Sequence, residues 1–135
     1  LGVGQSGIAC RSVDGGETWT TTNVGSDNVL GRLLWTGDAF TVWAPGTRFT
    51  SPDGLSWTAT PTTPEGIWIG PAAFNPESGA YVATPRVWDG YEEQSLLRSD
   101  NGVDWETLDA GSFEPGHPIF ELAFGYGEPS ALCPG

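Results

Sequence analysis

The 135-residue chain has no lysine, no methionine, one histidine and two cysteines. Its five arginines stand against seventeen Asp and Glu, for a net charge of -12. Phosphate backbones and anionic lipid headgroups are held by clustered Lys or Arg, so this balance argues against nucleic acid or an anionic membrane surface as partner. Two Cys and one His at scattered positions cannot assemble the four ligands of a zinc site, and no metal or other cofactor is expected. No apolar run approaches the ~20 residues of a membrane span, so no membrane insertion is expected. No window repeats with a period of 3.6, and 20 Gly and 11 Pro leave little room for helices.

What is present suits strands. Seven Trp, six Phe and three Tyr supply large apolar bodies, and a chain of this length forms one domain burying roughly 68–70% of its unfolded surface. The expected class is all-β. Cys10 and Cys133 lie near opposite ends, and a disulfide is a better use for them than two free thiols. With the missing lysine and only 16% charged residues, that points to a secreted or periplasmic setting. Leu1 opens in what reads as a strand, as expected of a processed or trimmed chain, and no signal peptide is there to read.

One phrase occurs three times. Ser12-Val13-Asp14-Gly15-Gly16-Glu17-Thr18-Trp19 is the first copy, Ser51-Pro52-Asp53-Gly54-Leu55-Ser56-Trp57 the second, and Ser99-Asp100-Asn101-Gly102-Val103-Asp104-Trp105 the third. Their tryptophans stand 38 and 48 residues apart, a spacing that fits a sheet-sized repeat. A β-prone run precedes each phrase and a polar strand follows it. The residue types are those of a tight hairpin: Asp or Asn accepts backbone N–H bonds, Gly supplies positive φ, and the Ser hydroxyl bonds within the loop. The tryptophans are expected to return to the core, together with Trp35 and Trp43.

The phrase resembles the Asp-box, or BNR repeat, of β-propeller proteins. The first copy fits the S-x-D-x-G-x-T-W form and the other two the shorter S-x-D/N-G-x-x-W form. The resemblance implies blades of four antiparallel strands, with the box joining the third strand to the fourth. About three blades result: residues 1–22 with 117–135, residues 29–60, and residues 67–108. In this layout the segment from His117 to Phe124 completes the blade begun at the N-terminus, and a Cys10–Cys133 bond locks the closure. Propellers have four to eight blades. Two outcomes are therefore expected: a half-propeller that associates with itself, or a segment of a longer propeller.

The resemblance names a fold shared by sialidases, xyloglucan-cleaving hydrolases, receptors and lectins, and leaves function open. The boxes are expected to be structural. No Arg-Ile-Pro phrase marks a sialidase, and Tyr81, Tyr91 and Tyr126 fit no nucleophile pattern. His117 has no accompanying Ser or Cys nucleophile pattern. Asp89, Glu92 and Glu93 are the densest acids from which a hydrolase pair could come. The loop holding Trp88, Asp89 and Tyr91, with Trp68 in the preceding linker, offers aromatics interleaved with acids, the chemistry of glycan contact. The expectation is a non-catalytic module binding a glycan or protein through its loop face. The alternative is a glycoside hydrolase fragment whose site is incomplete here.

Overall fold

A computed structural model of the chain describes residues 1–85, 96–108 and 122–123. Among these residues the protein is all-β, with one 3-10 turn at Gln5–Gly7. Three antiparallel sheets form in chain order, each a meander. The first contains β1 (Gly2–Val3), β2 (Ile8–Arg11) and β3 (Thr20–Asn23). The second contains β4 (Leu33–Trp35), β5 (Phe40–Ala44), β6 (Thr47–Ser51) and β7 (Thr58–Pro61). The third contains β8 (Ile69–Asn75), β9 (Ala80–Pro85), β10 (Leu96–Ser99) and β11 (Glu106–Leu108).

Local chemistry sets these elements. β5 is a run of aromatic, β-branched and small residues that fits a pleated, buried surface. It ends at Pro45-Gly46, where Ala44 faces Thr47 and Gly46 takes φ +75°, the residue order and sign of φ that a type II turn demands. In β8 the register shifts between Ile69 and Ala72. Pro71, which has no N–H to give the ladder, lies inside that irregularity.

The register is the same in all three sheets. Cys10, Phe49 and Leu97 face Thr21, Ala59 and Thr107, and each of those follows its box tryptophan by two residues. The strand pairs flanking the boxes therefore share one register, with β2, β6 and β10 each leading into a box.

Two hydrophobic clusters join the sheets in series. Ala9, Val24, Leu30, Val42, Ala44 and Phe49 bury together between the first and second, with Val3, Leu33 and Trp57 packed against them. Trp43, Ile69, Ala72, Tyr81, Ala83, Leu97 and Trp105 do so between the second and third. Adjacent residues on a strand point to opposite faces. Val42 and Trp43 are both fully buried, so the second sheet is covered on both sides.

Two expectations fail at this level. Trp19 is 54% exposed and Trp35 52% exposed, although both read as core. Trp19 lies on the face of the first sheet turned away from the second, where no described sheet covers it. Trp35 ends β4 and, among the described residues, makes a tilted ring contact with Phe40 of its own sheet, centroids 4.7 Å apart. The strand expected from 117–124 lies outside the described residues apart from Leu122 and Ala123, which are not in a strand.

Candidate functional site

The three boxes share a set of hydrogen bonds reaching no more than four residues along the chain. In each, the Ser Oγ accepts from the backbone N–H of a box glycine: Gly16 to Ser12, Gly54 to Ser51 and Gly102 to Ser99, all at 2.8 Å. The same hydroxyl donates to Oδ1 of Asp14, Asp53 or Asn101 at 2.8, 3.1 and 3.0 Å. That oxygen then takes two further backbone N–H groups: Glu17 and Thr18 in the first box, Leu55 and Ser56 in the second, Val103 and Asp104 in the third. The extra glycine of the first box moves its N–H donors one residue further along. The indole N–H closes the loop on a glycine carbonyl, from Trp19 to Gly16 at 3.0 Å and from Trp105 to Gly102 at 3.2 Å.

These bonds favour the ionised carboxylates. Asp14 is lowered from 3.8 to about 2, chiefly by the Thr18 hydroxyl. Asp53 is lowered by the backbone N–H groups of Ser56 and Leu55. Asp104 is lowered by the Asn101 amide and by the Thr63 hydroxyl, which donates to it at 2.7 Å. A general acid working near neutral pH needs the opposite shift. These groups are acceptors that hold turns.

The second and third boxes are also roofed by the preceding sheet. The Arg11 stem lies where a Cβ on Gly54 would meet it at 3.4 Å, and the Arg48 stem stands likewise over Gly102. Trp43 adds a buried bond, its Nε1 donating to the Gly102 carbonyl at 2.9 Å. Beside the third box, Arg98, Ser99, Asp100, Asn101, Asp104, Trp105 and Glu106 line an open cleft of about 320 Å³. There the Arg98 guanidinium reaches Asp100 at 2.9 Å and Glu106 at 3.8 Å.

The β5–β6 turn meets the linker before β8, which also reaches the third box through Thr63. Gly46 N–H donates to the Ile67 carbonyl at 2.8 Å, and Thr62 N–H to the Gly46 carbonyl at 3.0 Å. Trp68 is half-buried immediately before Ile69, and Ile69 is in register with Pro85, the last residue of β9. Trp68 therefore stands where the connection carrying Trp88, Asp89 and Tyr91 leaves the sheet. Those three residues lie outside the described residues, as does Cys133. Cys10 is a free thiol here, its Sγ 3.7 Å from Thr21 Oγ1.

Sequence reasoning missed the exposed Trp35–Phe40 pair and the Arg98 cleft. A signal for the first was present: Trp35 directly precedes the Thr36-Gly37-Asp38 turn, and a strand end beside a turn is poorly covered. No group of three His, Cys, Asp or Glu suited to a metal occurs among the described residues. Comparison with protein-family models, curated proteins and solved structures yields no match.

Proposed function

We propose that the chain is a non-catalytic β-propeller module that binds a glycan or protein ligand through the loop face opposite its boxes. The observation that carries this reading is the position of Trp68. An indole beside Pro85 puts one aromatic surface at the root of the loop that holds Trp88 and Tyr91, and stacking on such surfaces is how apolar sugar faces are held. The three like sheets, each ending in the same box, support the propeller. The lowered pKa values of Asp14, Asp53 and Asp104 support a structural role for the boxes. In this reading the ring is finished by self-association or by further blades, and the module works in a secreted or periplasmic setting.

The test is a glycan array followed by titration. Trp88→Ala and Tyr91→Ala are expected to weaken binding roughly 10-fold or more, whereas Trp35→Ala, at the box end of its sheet, leaves it unchanged. Retained affinity in both loop variants would sink the site. The hydrolase alternative draws on Asp89, Glu92 and Glu93. Turnover of aryl glycosides that is lost in Asp89→Asn or Glu92→Gln would replace the binding reading with it.

A further inference from the structure

The sheets repeat one contact, and the first sheet carries only half of it. The second and third boxes each lie beneath an arginine stem and apolar side chains of the sheet before them. As a result Gly54 and Gly102 are buried, Trp57 is half-buried and Trp105 is 6% exposed. The first box has the same internal bonds, yet Gly15, Gly16 and Trp19 are all exposed. The Gly102 carbonyl accepts both Trp105 from its own loop and Trp43 from the sheet above. The Gly16 carbonyl takes Trp19 at the first of these two positions, and a carbonyl oxygen has a second lone pair to offer.

The rest of that face is suited to burial. Ile8, Cys10, Thr21 and Asn23 share it with Trp19, by alternation along β2 and by their cross-strand pairing. None is charged, in a chain of net charge -12, and Ile8 is 44% exposed. Exposed apolar surface bordered by polar residues marks an interaction site.

The matching half also lies on this chain. Leu97 packs towards the second sheet, so Leu96 and Arg98 point the other way. They hold the register positions of Ala9 and Arg11: each arginine immediately precedes its box serine and faces the residue after its box tryptophan, Thr20 or Glu106. Ala9 and Arg11 are the residues that the first sheet lays on the second. The charge of Arg11 helps lower Asp53, and the Arg98 side chain, 38% exposed, is equipped to do the same for Asp14.

We propose that the open face of the first sheet, formed by Ile8, Cys10, Trp19 and the first box, docks a second copy of this chain through the copy's Leu96–Arg98 face. The contact joins unlike surfaces head to tail, so it either closes a ring or grows an open assembly. This deepens the module reading and rests on its stacked sheets, not on its ligand. Glycan binding and self-association are read in separate assays, so either can fail alone.

Sedimentation of the 135-residue chain across a concentration series tests the proposal. The expected result is a mass rising above the 14.3 kDa monomer with concentration. Trp19→Glu, Ile8→Glu and Arg98→Glu should each weaken association roughly 10-fold or more. All three side chains are partly exposed, so the far-UV spectrum should stay unchanged. Mixing Trp19→Glu with Arg98→Glu should restore association, because each variant keeps the surface that the other lacks. Cys10 should resist alkylation in the assembly and react in the Trp19→Glu variant, read by mass spectrometry of its peptide. A monomer at every concentration, or association indifferent to both Trp19→Glu and Ile8→Glu, overturns the proposal. Association that survives Arg98→Glu overturns the head-to-tail seating.

Discussion

The first and third boxes share one bonding scheme in two environments. Both hold a glycine N–H on a serine hydroxyl at 2.8 Å and close an indole N–H on a glycine carbonyl. Yet Trp105 is 6% exposed, in edge contact with Trp43 and Tyr81 at 5.7 and 6.2 Å between centroids, whereas Trp19 is 54% exposed. The loop makes its own geometry wherever it stands. What the tryptophan contributes to stability comes from the neighbouring sheet, because the transfer of apolar surface from water requires something to cover it.

The strongest way to break this comparison is to truncate both indoles. Trp105→Ala should cost about 3–5 kcal/mol in urea unfolding, the range for a large buried aromatic. Trp19→Ala in the dilute chain should cost about 1 kcal/mol or less, as expected of an exposed side chain. Equal losses would mean that the first sheet is covered after all.

A smaller effect isolates the roof from the loop. Trp43→Phe removes the buried N–H donated to the Gly102 carbonyl from the second sheet, and should cost about 1–3 kcal/mol. Trp57 Nε1 is buried without a hydrogen-bond partner among the described residues. Trp57→Phe is therefore expected to be nearly neutral, and the difference in urea midpoints between the two variants measures the bond across the sheets.

The smallest effect concerns protons. Asp14 falls from its ordinary 3.8 to about 2 in the folded chain. A depressed carboxylate contributes stability that is fully present above the unfolded value and is lost as pH falls through the folded one, so the window runs from about 4 down to about 2. Asn101 takes the place of Asp14 in the third box and does not titrate. Carboxyl NMR should find Asp14 near 2, and Thr18→Val should raise it towards 3.8 by removing the hydroxyl that contributes most. An unshifted Asp14 would show that the first box is loose in the absence of a roof.

Much of the architecture was legible in the residues. Trp43 was expected in the core and is fully buried, and the strands before and after each box fall where the runs of β-prone residues suggested. The candidate site was less legible. Trp68 could be named as an aromatic of the linker, but its place beside Pro85 depends on a register across two strands. The Arg98 cleft needs two strands and a loop to meet, and Trp35 looked like every other strand tryptophan until its neighbours were known.

The sequence alone determined the turns. The bonds to the box serine and to its Asp or Asn that are common to all three copies join residues at most four positions apart, so a short stretch of chain contains both donor and acceptor. Only the tertiary structure decided which tryptophans are core, which arginine stem roofs which glycine, and which face of the first sheet stays open. Burial belongs to a pair of surfaces, and one of each pair is supplied by residues far along the chain.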